Sequence, residues 1–470
     1  MLFSSITFLY YFLPITLLIY FAVPKKYKNP VLLLASLLFY GWSEPRLIFL
    51  MLLSIVVHYI AGLLIDKNRK NNKEKKCKGY LILAISISLA LLGYFKYANF
   101  FIANLNSLGG LSLPLLKIAL PIGISFYTFQ IISYTIDVYR GDTKVQKNIL
   151  HLATYLALFP QLIAGPIVRY TDIAERLEAR GHNMEAISYG IRRFMIGLSK
   201  KVILANSLGL LCSIFSDSDE KTVLFYWIYA IAFTLQIYYD FSGYSDMAIG
   251  LGSIFGFHFM ENFNYPYISK SITEFWRRWH ISLGSWFRDY VYIPMGGNRV
   301  SKGRWIRNIL VVWMLTGFWH GAAWNFVLWG LMFAILLIIE KIWLSALLTK
   351  LPKVISHIYV LFFVILSFVL FDAPNLSSAL HSIKAMFGLG DIPLLGTQTL
   401  YYLNSYKMIL LFAILGSTPL MKKGIDRLRA TKWGDRALDF LGPIACVILL
   451  FIITGYLVDG SYNPFLYFRF

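Results

Sequence analysis

Long apolar runs separated by short basic loops set the pattern of this chain. Phe3 to Val23 is the first run and ends at Pro24-Lys25-Lys26-Tyr27-Lys28; Val31 to Trp42 and Leu47 to Ile65 follow, joined by the turn Ser43-Glu44-Pro45-Arg46. Several such runs come near the ~20 apolar residues that a helix needs to cross a bilayer. The loop Asp66-Lys67-Asn68-Arg69-Lys70 through Lys75-Lys76-Cys77-Lys78 is the most basic, and basic loops stay on the cytoplasmic side. The first basic loop has the same parity, which puts the N-terminus outside. Tyr80 to Tyr97 then runs outward, Ile118 to Ile136 inward, Met184 to Phe215 outward to the acidic loop Asp217-Ser218-Asp219-Glu220, and Val223 to Phe255 inward. Leu150 to Ile167 is broken by Pro160, Gly165 and Pro166 and has basic flanks. Phe159 to Pro166 therefore reads as a re-entrant cavity wall or as a kinked core helix. Asn308 to His320 rises outward, Trp324 to Trp343 returns, Ile355 to Phe371 leaves, Met408 to Leu420 re-enters, and Leu438 to Leu457 ends with the C-terminus outside. The pattern predicts an all-α integral membrane protein, a multi-pass helical bundle of about 11–12 spans plus re-entrant segments.

Two stretches depart from plain apolar spans. In Glu274-Phe275-Trp276-Arg277-Arg278-Trp279-His280 and the residues after it, a ~100° step per residue places Phe275, Trp276, Trp279, Leu283, Trp286, Phe287 and Tyr290 on one arc. Arg277, Arg278, Ser285, Arg288 and Asp289 lie away from that arc. The spacing predicts one amphipathic helix at the membrane surface, with His280 at the edge of the aromatic arc. A plain interfacial anchor, Trp at headgroup level and Arg toward lipid phosphate, is the alternative to a substrate role. Gly284 weakens this helix by ~1 kcal/mol, so it needs tertiary support.

The second stretch is Trp319-His320-Gly321-Ala322. Asn308 to Trp319 carries no charge, and at ~1.5 Å per residue the run lifts His320 about 18 Å, beyond the middle of a ~30 Å hydrocarbon layer. An ionisable side chain held at depth is costly and marks a functional site by default; the alternative is a packed histidine bonded to a carbonyl. Gly317, Gly321, Ala322 and Ala323 permit close helix approach or leave room for a substrate. Between Val223 and Phe255, Gln236, Tyr238, Tyr239, Asp240, Ser242, Tyr244, Ser245 and Asp246 are too polar for a lipid face. They predict a polar inner wall, with Asp240 and Asp246 favoured as structural supports over substrate contacts.

Composition narrows the class. The 470 residues are 58% hydrophobic and 14% charged, with a net charge of +20. Here the basic residues sit in loops between apolar runs, where cytoplasmic placement and anionic lipid account for them better than nucleic acid does. The first run lacks the basic start and small-residue cleavage site of a signal peptide, so it reads as a retained span. Cys77, Cys212 and Cys446 are scattered, with no metal spacing. No Gly-x-Ser-x-Gly elbow with a matching triad, no Walker loop and no histidine pair at i, i+4 spacing is present. His58, His151, His182, His258, His357 and His381 read as structural or exposed.

Several motifs in order carry a resemblance. They are Pro121-Ile122-Gly123-Ile124-Ser125-Phe126-Tyr127-Thr128-Phe129-Gln130, Phe159-Pro160-Gln161-Leu162-Ile163-Ala164-Gly165-Pro166-Ile167 and Tyr239-Asp240-Phe241-Ser242-Gly243-Tyr244-Ser245-Asp246, then Asn262-Phe263-Asn264-Tyr265-Pro266-Tyr267, Phe275 to His280, Tyr292 to Asn298, and Gly317-Phe318-Trp319-His320-Gly321. With these the chain resembles the membrane-bound O-acyltransferase (MBOAT) family, in its alginate O-acetyltransferase-like bacterial branch. The resemblance covers nearly all of the chain, most densely over 120–330, and implies one MBOAT transmembrane domain over 1–470 around a central acyl-transfer tunnel. It implies that His320 is the essential histidine and general base, since a neutral imidazole can take a hydroxyl proton and return it to a leaving thiolate. His280 matches the second recurring histidine and would position the thioester or His320 itself.

Trp276, Trp279, Arg278, Trp319, Tyr239 and Asn325 are the candidate substrate-binding residues. The tryptophans would wall off water, and Tyr239 or Asn325 would orient the base. No metal and no bound cofactor is expected. The resemblance implies acetyl-CoA, or an acyl-carrier thioester, as the cytoplasmic donor, and an extracytoplasmic cell-envelope polysaccharide as acceptor, reached directly or through an exported or membrane-attached partner protein. D-alanyl transfer to teichoic acid from a carrier protein is the near alternative. A transporter or flippase, which needs no base, is the alternative of another class. The expected location is the cell membrane, multi-pass.

Overall fold

The computed structural model of the chain describes residues 1–459 and 465–466. Every regular element among them is helical. Among the described residues, six helices are long and apolar enough to cross a membrane: Ile48–Lys70, Glu74–Gly109, Met184–Asp217, Trp324–Leu348, Lys353–Asp372 and Lys432–Val458. A seventh forms if Thr397–Gly416 and Leu420–Arg429, bent by 62°, count as one broken span. Other expected crossings fall on helices that are shorter or more polar, such as Lys28–Ser43 of 16 residues and Ile124–Arg140 of 17. Val223–Ile254, at 32 residues, is long enough at ~1.5 Å per residue to exceed a bilayer core. Its polar residues Gln236, Asp240, Ser242, Ser245 and Asp246 are all buried inside the protein. The external position expected of the C-terminus concerns residues mostly outside the described ones.

Contacts group the chain into two compact units, 1–194 with 247–260, and 195–246 with 261–470. In the first unit, the run over 150–167 is divided: Ile149–Ala157 ends at Leu158, and a short helix, Phe159–Leu162, follows. Phe159, Leu162 and Ala164 are all fully buried. Phe159 packs edge-on against Phe12 at 5.3 Å and Phe255 at 5.7 Å. This segment is thus core backbone, surrounded by protein.

In the second unit, one hydrophobic cluster gathers Phe225, Phe233, Tyr238, Trp279, Trp329, Phe333, Val360 and Phe368. Two ion pairs lie within its helices. Lys201 meets Asp240 at 2.6 Å with both side chains nearly fully buried, and Lys200 meets Asp246 at 2.6 Å. Asp240 also accepts from the backbone N–H of Leu466 at 2.9 Å. Both carboxylates expected to be supports therefore hold neighbouring segments. The helices Lys302–His320 and Trp324–Ile339 form a tight hairpin through glycine. A Cβ on Gly317 would strike the Phe326 carbonyl, and one on Gly330 the Trp313 carbonyl.

Candidate active site

All eight candidate site residues belong to the second unit. His320 is the last residue of Lys302–His320 and is buried. Its ring lies 4.9 Å from Trp319, 5.2 Å from Trp329 and 5.4 Å from Phe371. The His280 ring is 6.5 Å away between centroids. The structure thus brings the two histidines together within an aromatic enclosure, where a charge or dipole acts more strongly than in water.

The stretch around His280 differs from the single amphipathic helix predicted for it. It forms two short helices, Ile272–Arg278 and Ile281–Phe287, broken at Trp279 and His280. The Ser271 side chain accepts from Glu274 N–H at 2.9 Å, an N-cap the sequence displays as Ser-Ile-Thr-Glu. The buried Glu340 adds a second cap, accepting from Thr273 N–H at 2.9 Å and from its hydroxyl at 2.7 Å. Trp279 is extended, and His280 takes φ 47° and ψ 51°. A non-glycine residue in the left-handed region costs on the order of 1 kcal/mol and persists only where its surroundings fix it.

Asn262 fixes it. Its backbone carbonyl accepts from Ile281 N–H at 3.0 Å. Its Oδ1 accepts from Ser282 N–H at 3.1 Å and from the Ser282 hydroxyl at 2.9 Å, and lies 3.2 Å from His280 Nδ1. A backbone N–H can only donate, so this atom is the amide oxygen and His280 Nδ1 carries the hydrogen. Nε2 is left with its lone pair, and it has no hydrogen-bond partner among the described residues. Asn262 is fully buried and stands in the sequence as one residue of the Asn262 to Tyr267 motif, not as a site candidate. The signal that could have found it is the pair of amides set among aromatic residues in the Asn-Phe-Asn-Tyr-Pro-Tyr run.

His280 lines a cavity of about 510 Å³ with Trp276, Arg277, Arg288, Trp313 and Thr316. Trp276 packs on Trp313 at 4.6 Å and Phe333 at 4.9 Å, with its indole N–H unpartnered among the described residues. The remaining candidates stand elsewhere. Trp279 is a core side chain, 5.1 Å from Phe263 and 5.3 Å from Phe368. Arg278 is held by Glu274 at 2.9 Å and by the Asn264 carbonyl at 3.0 Å. Its neighbour Arg277 is exposed and makes no ion pair or hydrogen bond among the described residues, so the cavity meets Arg277. The Tyr239 hydroxyl donates to the Ala413 carbonyl at 2.5 Å. Asn325 donates to the Ala373 carbonyl at 2.9 Å, just past the end of Lys353–Asp372, and makes no hydrogen bond to His320. The expected contact of Asn325 with the base is thus not among its hydrogen bonds, which go to another segment.

A helical chain that spans a membrane and encloses paired imidazoles beside a cavity has the makings of a membrane-embedded transferase. The sequence pattern of the membrane-bound O-acyltransferase family matches residues 140–382, and the chain belongs to that family. It is an acyltransferase, and the reading as a transporter or flippase falls away. The chain is 39% identical to a probable alginate O-acetylase of Azotobacter vinelandii over the whole of both chains. It is 32% identical to a peptidoglycan O-acetyltransferase of Helicobacter pylori, across all of this chain and 98% of that one. A teichoic acid D-alanyltransferase of Bacillus subtilis is 31% identical over 46% of this chain and 58% of its own.

Proposed function

We propose that the protein moves an acetyl group from acetyl-CoA on the cytoplasmic side to a hydroxyl of an extracytoplasmic cell-envelope polysaccharide, directly or through a partner protein. The observation that carries this reading is the His280–His320 pair, 6.5 Å between ring centroids, adjoining a cavity of about 510 Å³ that reaches Arg277. The thioester arm of the donor occupies that cavity, with its phosphates toward Arg277 and its acetyl toward the histidines. His320 takes the proton of the acceptor hydroxyl as the oxygen bonds to the acetyl carbonyl carbon. The carbon–sulfur bond then breaks, the thiolate leaves with the electron pair, and His320 returns the proton to it. His280 cannot donate from Nδ1, which Asn262 holds. Its Nε2 lone pair accepts from the His320 side, across about the span of one water, and so selects the nitrogen of His320 that acts as base. Trp276 and Trp319 keep bulk water from the thioester.

The test is transfer of radiolabelled acetyl from acetyl-CoA to envelope polysaccharide in membranes, with His320→Ala at matched expression. The variant should lose roughly 10²–10⁴-fold of the labelling, the usual worth of a general base. Equal labelling by both chains would overturn the assignment. The likeness to the teichoic acid D-alanyltransferase supports a second reading, which a D-alanyl carrier protein as donor tests in the same membranes; label from that donor alone would replace acetyl by D-alanyl.

A further inference from the structure

A second cavity, of about 440 Å³, lies wholly within the first unit and is lined by Lys25, Lys26, Lys28, His151 and Arg180, with Glu178 as its one carboxylate. We infer that this is a phosphate-binding site, built to take the phosphate group of an anionic phospholipid or of a soluble phosphate compound. The basis is a fixed guanidinium rather than a crowd of surface lysines. Arg180 Nε donates to the Tyr20 hydroxyl at 2.8 Å, and Nη1 donates to Asn29 Oδ1 at 2.6 Å and to the Arg176 carbonyl at 3.2 Å. The guanidinium lies 4.6 Å from the Phe257 ring centroid. Asn29 is in turn anchored on the Leu177 carbonyl at 2.7 Å, and the Tyr20 hydroxyl on the Phe255 carbonyl at 2.9 Å.

What this scaffold does not supply is an ion-pair partner for its cations. None of Lys25, Lys26, Lys28 and Arg180 forms an ion pair among the described residues. Arg180 Nη2 and His151 Nδ1 are buried without a hydrogen-bond partner among those residues. Buried polar atoms of this kind are nearly always satisfied, and a planar guanidinium among ammonium groups suits phosphate oxygens. His182 lies in the loop beside Arg180, 2.9 Å from the Tyr20 hydroxyl. Burial, then Lys28 and Arg180, hold it below the ordinary imidazole range. The helix Leu13–Ala22 that leads into the site exposes Leu18, Ile19 and Phe21, which gives acyl chains a surface to follow if the phosphate belongs to a lipid.

The experiment needs no catalysis. The full chain is placed in nanodiscs of pure phosphatidylcholine, and its melting temperature is followed while inorganic phosphate is added, or in a parallel series with phosphatidylglycerol mixed into the disc. A ligand that binds the folded state raises the melting temperature with its concentration. The Lys25→Gln/Lys26→Gln/Lys28→Gln variant, changed only at exposed or half-exposed positions, should need about tenfold more ligand for the same shift, as should Arg180→Gln if it folds. A shift with phosphatidylglycerol alone assigns a lipid headgroup; one with phosphate alone assigns a soluble ligand. No shift in either series, or identical shifts for the unmodified chain and the triple variant, overturns the site.

Discussion

At the scale of single residues, the site turns on an atom that has no chemistry of its own, Asn262 Oδ1. Replacing Asn262 by Leu leaves His280 free to change tautomer and removes the acceptor of Ser282 N–H. Acetyl transfer should fall by about 10²-fold or more, because a wrongly oriented imidazole loses much of its worth. The fall should lie in kcat rather than KM, with the pH profile displaced. A change in KM alone would mean that Asn262 serves only donor binding. The two histidines should also fail to add: His280→Ala in a His320→Ala background should cost almost nothing further, as happens for groups that act as one unit. Full additivity would show two independent roles. Of this site the sequence displayed the histidines and the nearby tryptophans, visible as chemistry in unusual places; it pointed to Arg278, whereas the cavity is lined by its neighbour Arg277. It did not display the link from Asn262 to His280, because a contact across 18 positions leaves no periodic trace. Arg278 and Asn325, expected at the site, make their hydrogen bonds elsewhere in the structure, Arg278 with Glu274 one turn away and Asn325 with a carbonyl 48 residues on.

At the scale of elements, hydrophobic runs located helices well, as at Lys302–His320 and Lys353–Asp372, where apolar residues and flanking polar loops agree. Periodicity failed where a helix breaks for a tertiary reason. Phe275 to Tyr290 has a continuous helical stripe, yet the backbone turns at His280 because hydrogen bonds to Asn262 repay the strain. The small residues near His320 were legible as a means of close approach, and the hairpin depends on them. Gly317→Ala should destabilise by about 1–3 kcal/mol through overpacking, since the new methyl meets backbone that cannot rotate away. The control is Gly284→Ala, whose nearest neighbour would be the Trp276 carbonyl at 3.9 Å. That change should be neutral or stabilising by about 0.4–1 kcal/mol. Thermal unfolding in detergent compares the two, and an equal effect at both sites would refute the packing account.

For the whole molecule, what stands out is where charge is hidden. Lys201 and Asp240 are more than nine-tenths buried and touch at 2.6 Å. Removing one partner, as in Asp240→Asn, should cost about 3–5 kcal/mol, whereas replacing both by apolar residues of similar volume should be near neutral. A double-mutant cycle on unfolding in detergent measures this, and a small effect of the single change would mean that water reaches the pair. The sequence showed the aspartates as misfits in an apolar run; it could not show that the preceding helix carries their lysines at the matching level.

Lys200 and Lys201 also sit near the middle of Met184–Asp217, while Asp240 and Asp246 lie in Val223–Ile254. A charge at the centre of a helix entering the bilayer alone is charged about 2.5–3.5 kcal/mol at the translocon. Four such charges on two consecutive segments make separate entry unfavourable, and pairing makes joint entry reasonable. During synthesis the first of these helices should wait at the insertion machinery until the second emerges from the ribosome, so that the pair enters the lipid as a neutral hairpin.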